Sequence, residues 1–372
     1  MNLSFSTKLK IKIGQVILIG FVWGIFGALD STITWCIGQS HYMDTNEYYN
    51  FGFDIALTFV GFLIGGLAAG TLLLGVLKNR WNNRPFWVSF LNSSLVIFFF
   101  HCCISWFFYV YRFSHELHKS FFNVEVVSAA NHYFLGPPHL GNTLVIMLLT
   151  TGTIFWIRVN HRYGPGNLLS SFLGKYHLPK EEERIFMFLD MKSSTTIAEH
   201  LGHIRFHQFL DDFFRDISDA ILYSKGEVYQ YVGDEVVVSW TMKNGMANAN
   251  CIRCFYEMKK DLKKKITFYK NKYDGFFPEF KAGLHVGKVT TGEIGKIKRD
   301  LVHTGDVMNT TARIQEKCNE LDVKILLSED LLTKLVLLPA QLSVRKKGSF
   351  LLRGKTEAVN LYTLVERNFA ES

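Results

Sequence analysis

Residues 184–195 read RIFMFLDMKSST, and residues 227–240 read EVYQYVGDEVVVSW. The first is a short apolar run that ends in a carboxylate, Asp190, and passes through the polar turn Lys192-Ser193-Ser194-Thr195 into a helical pattern. This predicts a buried strand delivering an acid to its C-terminal end. The second holds two β-rich runs, Glu227–Val232 and Glu235–Trp240, joined by Gly233-Asp234. Such a pair predicts a hairpin with another carboxylate at its tip. Two aspartates at neighbouring strand ends can share divalent cations, because magnesium takes oxygen ligands and combines one or two carboxylates with phosphate oxygens and water. Taken singly, each Asp also fits the ordinary task of capping a helix or a turn.

Toward the C-terminus, residues 278–287 (PEFKAGLHVG) read as a strand, Gly292–Gly295 as a turn, and Gly305–Arg313 as the opening of a helix. Asn309 and Arg313 are four apart and share one helical face. An amide and a guanidinium projecting together can hold a ribose oxygen and offset negative charge on phosphorus, or can simply face solvent. Arg353-Gly354-Lys355 sets two cations around a glycine turn before a closing strand, Val359–Val365. They suit terminal phosphates, and equally water.

Toward the N-terminus the chain changes character. The overall hydrophobic content of 48% and aromatic content of 15% are concentrated in the first 160 residues. Four uncharged stretches, 13–29, 55–77, 85–111 and 140–157, approach or exceed the roughly 20 residues that cross a bilayer. No cleavage site follows the first run, so the N-terminus is expected to stay. Lys8, Lys10 and Lys12, then Lys78, Arg80 and Arg84, then Arg158 and Arg162 flank alternate ends, which places both termini in the cytosol. The segment between Asp30 and Asp54 has no Lys or Arg, and the one between Arg112 and His139 is mixed. His115, His118, His132 and His139 fall in this second outer loop, with His101 inside the third run. They suit a metal or proton sensor, but their spacing is not that of a metal site and favours packed or interfacial rings. The six cysteines show no disulfide or zinc pattern. The net charge of +8 is read as topological, and the lysine-rich segment 258–272 as a solvated helix face rather than a nucleic-acid site. Residues 161–183 read as a connector, with an apolar piece at 168–176 and an acidic run at 181–183.

Taken in order, FLDMKSST, YQYVGDEVV, AGLHVGKVTTGEIG, GDVMNTTARI and LRGK closely resemble the class III nucleotide cyclase domain, over Arg184–Arg367. The resemblance implies an α+β ferredoxin-like catalytic domain at 184–367, behind an α-helical membrane domain of four transmembrane helices at 1–160. It implies a homodimer whose sites draw on both chains, two Mg2+ or Mn2+ per site, and ATP as substrate with GTP possible. Asp190, the adjoining Met191 and Asp234 match the metal positions. Lys192, Ser193, Ser194 and Thr195 lie where the triphosphate is cradled, Asn309 and Arg313 match the transition-state pair, and Arg353 with Lys355 the phosphate-binding position. Gln230 stands where the family has a base-reading Lys, and Val302 where adenylate cyclases have Asp or Thr. The Glu and Cys of guanylate cyclases are at neither place. The expected setting is the plasma membrane, with the catalytic domain cytoplasmic and no nucleic-acid partner. A diguanylate cyclase, suggested by Gly233-Asp234-Glu235, is disfavoured by the Asn309 and Arg313 block. A non-catalytic receptor is disfavoured by the intact acids, and a transporter by the lack of paired intramembrane charges.

Overall fold

The computed structural model describes residues 3–40, 51–77, 85–163, 174–297 and 299–367. Contacts divide the chain into two compact units, Phe5–Tyr163 and one built on Gly164–Ser372. Residues 78–84, with three of the basic residues used for topology, and most of the apolar piece at 168–176 lie outside the described residues.

The first unit is helical: α1 (Leu3–Ser40), α2 (Phe51–Thr71, continued by a π-helical turn Leu72–Leu77), α3 (Phe86–Glu116), α4 (Val124–Phe134) and α5 (Pro137–Tyr163). Four of these hold stretches long and apolar enough to cross a membrane: Lys12–Ile33, Thr58–Gly75, Phe90–His115 and His139–Val159. α1 and α2 meet at glycines, since a Cβ on Gly66 would lie 2.9 Å from the Gly20 Cα; without side chains there the backbones pack directly, as small residues permit between membrane helices. Trp23 donates from Nε1 to Thr153 Oγ1 at 2.9 Å, tying α1 to α5. The outer loop of the sequence reading contains a helix, α4, capped by Asn123, whose side chain accepts from the Glu125 N–H. Its Val126 and Ala130 are fully buried and Tyr133 and Phe134 pack beside them, an apolar face confined to 11 residues and broken by polar positions, so it does not read as a further apolar run.

The second unit runs β1 (Lys180–Met191), α6 (Ser194–Tyr223), β2 (Glu227–Val232), β3 (Glu235–Thr241), α7 (Met242–Met246), α8 (Asn250–Lys263), α9 (Ile266–Lys272), β4 (Phe280–Ile294), β5 (Asp300–Thr304), α10 (Asp306–Glu320), β6 (Ile325–Ser328), α11 (Glu329–Lys334), β7 (Leu342–Phe350) and β8 (Val359–Glu366). The strands form one sheet in the order β2-β3-β1-β4-β6-β8-β7, with β5 also paired to β4. β1-α6-β2-β3-α8-β4 is the ferredoxin-like βαββαβ arrangement expected from the motifs.

Successive side chains of a strand point to opposite faces, and β1 is covered on both. Ile185, Met187 and Leu189 enter the main core with Phe209, Phe213, Phe255 and Met258 of α6 and α8, while Phe186 and Phe188 pack with Val237, Val289 and Val307. Two-sided burial is why RIFMFL reads as a continuous apolar run rather than an alternating one. Each fully buried ring contributes about 2–3 kcal/mol. Cys251 and Cys254 are free, buried thiols of α8.

Three sequence boundaries move. β1 begins at Lys180, so the acidic run 181–183 pairs with Val289, Lys288 and Thr290 of β4 instead of serving as connector. β4 continues to Ile294, because its second half pairs with β1 on one side and β5 on the other; the expected turn at Gly292–Gly295 is therefore mostly strand. The lysine-rich helix breaks after Lys263 and restarts at Ile266.

Candidate active site

β1 and β3 pair so that Asp190 lies opposite Glu235, and the tight β2–β3 turn, with Gly233 at φ +62°, brings Asp234 within hydrogen-bond reach of Asp190. Only glycine adopts that backbone without a Cβ penalty. Burial, reinforced by the neighbouring Asp234 carboxylate, pushes Asp190 up to about 6. Burial, then Asp190, Asp234 and Glu316, pushes Glu235 up to about 7. Gln315 Nε2 donates to Asp190 Oδ2 at 3.4 Å. The Met191 side chain is buried in the core, so only its backbone faces this corner.

Beside the acids lies a cavity of about 310 Å³ lined by Asp190, Met191, Lys192, Ser193, Ser194, Thr195, Lys281 and Asn319. Ser193 takes a left-handed conformation, φ +58°, immediately before the first turn of α6, which leaves free N–H groups of the helix start available to an anion. Lys281 was not picked out in the sequence. It sits directly opposite Asp190 in the β1–β4 register and donates to Asn319 Oδ1. A lysine inside the apolar strand FKAGLHVG was the available signal, but its meaning depends on a register that sequence does not give.

α10 seats on β4 at Gly283, where a Cβ would fall 2.4 Å from the Gln315 backbone nitrogen. Its buried side carries Val307, Thr310, Thr311, Ile314, Gln315 and Cys318, leaving Asn309 exposed and Arg313 half-buried. The Arg313 guanidinium lies against the Arg353-Gly354-Lys355 turn, about 3.5 Å from where a Gly354 Cβ would stand. Lys355 pairs with Asp306 at the start of α10, and this pairing holds Asp306 below its usual range. One helix thus carries both groups. Gln315 and Asn319 reach the acids and Lys281, while Asn309 and Arg313 stand with the basic turn.

Gln230 is exposed on β2 opposite Val237, next to a register shift between Val228 and Gln230. Val302 of β5 pairs with Gly292 of β4. The residues beside them are joined: the Tyr229 hydroxyl accepts the His303 backbone N–H at 3.3 Å, and the two rings lie 4.8 Å apart. His303 Nδ1 shares a 2.8 Å hydrogen bond with Thr291 Oγ1, which also donates to Glu182. Burial lowers His303 to about 4, so it is neutral. Arg184, 2% exposed, closes this cluster on Glu182, Glu227 and Ser239. Neither Tyr229 nor His303 stood out in the sequence, because their role is a contact between distant strands.

Residues 178–366 match the family model described as the adenylate and guanylate cyclase catalytic domain. Among curated proteins, adenylate cyclase 2 of Rhizobium meliloti (strain 1021) is 36% identical over 195 residues, covering 52% of this chain and 53% of that protein. An adenylate cyclase of Anabaena cylindrica is 25% identical over 182 residues, 47% of this chain and 35% of that one. The chain spans about half or less of the length of these relatives. Among solved structures, a bacterial light-regulated adenylyl cyclase aligns with TM-score 0.49 and 22% identity, over 59% of this chain and 64% of that one.

Proposed function

Since this chain belongs to the adenylate and guanylate cyclase catalytic domain family, we propose that it is a membrane-anchored adenylate cyclase, a homodimer that converts ATP to 3′,5′-cyclic AMP and pyrophosphate. The observation that carries this reading is the meeting of Asp190 and Asp234 at the edge of a cavity walled by Lys192–Thr195 and Lys281. Carboxylates crowded together and displaced upward are what a divalent cation would relieve. Asp190, Asp234 and the Met191 backbone would hold two magnesium or manganese ions. Bound there, such ions lower the pKa of the ribose 3′-hydroxyl and neutralise phosphate charge.

The ribose 3′-hydroxyl releases its proton to solvent as its oxygen attacks the α-phosphorus in line, and the bond from that phosphorus to the pyrophosphate oxygen breaks, pyrophosphate leaving. N–H groups at the start of α6, with Lys192 and Lys281, hold the β- and γ-phosphates. Asn309 and Arg313 come from the second copy of the chain, positioning the ribose and offsetting the charge that grows on the α-phosphate. Arg353 and Lys355 add cations for the terminal phosphates, with Lys355 exchanging Asp306 for phosphate when substrate enters. Gln230 both donates and accepts at the base edge, while Val302 contributes shape alone. The distribution of Lys and Arg puts both termini and the catalytic unit in the cytosol, beneath the plasma membrane, where nucleoside triphosphate is available.

The deciding experiment supplies the purified chain with magnesium or manganese and either ATP or GTP, and resolves the products by chromatography. Cyclic AMP is the expected product. Cyclic GMP alone would transfer the reading to a guanylate cyclase, and no product from a folded dimer would remove the enzyme reading.

A further inference from the structure

In the membrane unit His101 of α3 and His139 of α5 are stacked, ring centroids 5.5 Å apart and planes within 10°. His101 Nε2 and His139 Nε2 both contact Thr143 Oγ1, at 3.2 and 3.3 Å. The other nitrogens are engaged too: His101 Nδ1 by Ser105 Oγ at 3.4 Å, and His139 Nδ1 by the Tyr109 hydroxyl at 3.2 Å. His139 is 3% exposed, covered by the Phe134 ring of α4 at 4.4 Å. We propose that this histidine pair is a proton-binding site, and that the membrane unit senses protons on the side of the bilayer opposite the catalytic unit. The proposal takes the four apolar helices as membrane-crossing.

The chain Ser105–His101–Thr143–His139–Tyr109 is complete in either direction. One hydroxyl lies between two Nε2 atoms and can donate to one while accepting from the other, so a neutral pair satisfies every ring nitrogen in two mirror polarities. One added proton also fits. With His139 doubly protonated, its Nε2–H donates to Thr143, Thr143 donates to His101 Nε2, and the remaining N–H groups donate to Ser105 and Tyr109. A second proton would stack two cations 5.5 Å apart with no counter-charge beside them among the described residues. The network therefore takes up one proton and shares it between two helices.

The neighbours leave it without a fixed counter-charge among the described residues. From α3 they are Ser105, Tyr109 and the sequence-adjacent Cys102 and Cys103. From α4 they are Phe134 and, through Tyr109, Tyr133; α5 supplies Thr143. Glu125 is exposed and pairs with Lys119, and His115, His118 and His132 are also exposed. His139 lies in the first turn of α5, and Tyr163 ends the helix about 36 Å away at about 1.5 Å per residue. A change at His139 thus acts on the helix whose far end leads into the catalytic unit.

The test uses the full chain in proteoliposomes. Nucleotide added outside reaches only chains whose catalytic unit faces out and whose α4 end faces the lumen. With outer pH held constant, lowering lumenal pH stepwise from about 8 to about 4, a window that reaches well below that of a solvated imidazole, should change turnover about threefold or more with one-proton dependence. His101→Gln, His139→Gln and Thr143→Val should each abolish the response, and the exposed His132→Gln should keep it. An unchanged response in His139→Gln, or a pH-independent wild type with normal turnover, overturns the proposal. This arm rests on the cyclase reading, so hydrogen exchange of residues 124–134 against lumenal pH provides a readout without turnover. After correction for the intrinsic pH dependence of amide exchange, protection that shifts in the wild type but not in His139→Gln supports the sensor even if no cyclic nucleotide forms, and protection that behaves identically in both overturns it.

Discussion

Replacing Asp190 with asparagine in the metal-free protein should stabilise the catalytic unit, more at pH 8 than at pH 4. Burial and Asp234 place the Asp190 carboxyl at about 6, against an ordinary 3.8. A group whose folded pKa lies above its unfolded value contributes stability that is present below the unfolded pKa and lost as pH rises through the folded one. Ionised Asp190 is therefore a liability near neutrality. A displacement of about two units sets a ceiling of about 3 kcal/mol at about 1.4 kcal/mol per unit. Solvent screening of a half-buried side chain brings this to about 1.5 kcal/mol. Asparagine keeps an acceptor for Gln315 and adds no charge beside Asp234. Urea unfolding of the full chain in detergent with chelator, followed by pulse proteolysis, would show the gain as about 0.7 M in midpoint, taking a slope of about 2 kcal/mol/M. The difference should vanish near pH 4. Saturating magnesium should reverse the order, since ligand at about 100 times its Kd adds about 2.7 kcal/mol to the wild type alone. Equal midpoints at pH 8, or a less stable variant without metal, would refute the reasoning.

Lys281→Gln removes the cation opposite Asp190 but keeps a partner for Asn319. The KM for nucleotide should rise about tenfold, as expected for loss of a charge-assisted phosphate contact, with melting temperature nearly unchanged; steady-state kinetics with ATP check it. Gly283→Ala would force a methyl group to within 2.4 Å of the Gln315 backbone. The seat of α10 should shift at a cost of about 1–3 kcal/mol, read as a lower urea midpoint together with a weakened Asp190–Gln315 contact.

Sequence legibility followed the scale of each signal. The four apolar helices were readable because some twenty uncharged residues admit few other fates, and the β2–β3 hairpin because Gly233-Asp234 supplies its turn locally. α4 and β5 escaped because each depends on a neighbour: α4 on packing of Val126, Ala130, Tyr133 and Phe134 within 11 residues, β5 on pairing with the far half of β4. Of the proposed site residues, Asp190, Asp234, Asn309 and Arg313 are visible in the sequence as chemistry-bearing types at fixed offsets. Lys281, Gln315, Tyr229 and His303 gain meaning only from register and crossing strands. His101 and His139 lie 38 positions apart on different helices, so spacing alone does not show that they stack.

The path of α10 gives the sharpest test of a shared site. Gln315 and Asn319 lean toward Asp190 and Lys281, whereas Asn309 and Arg313 stand by the basic turn of the same chain. In a twofold dimer each α10 would serve two sites, one through each group. Asp234→Asn and Arg313→Ala should each be nearly inactive alone, with Arg313→Ala lowering kcat far more than nucleotide affinity. When the two chains are mixed, about half the dimers are hybrid and each hybrid keeps one intact site of two, so about a quarter of wild-type turnover should return. Sites contained within single chains would return nothing. A return well below a quarter, with hybrid formation confirmed by native mass spectrometry, would mean that a defect at one site passes along α10 to the other, as a rigid helix seated on Gly283 would transmit it.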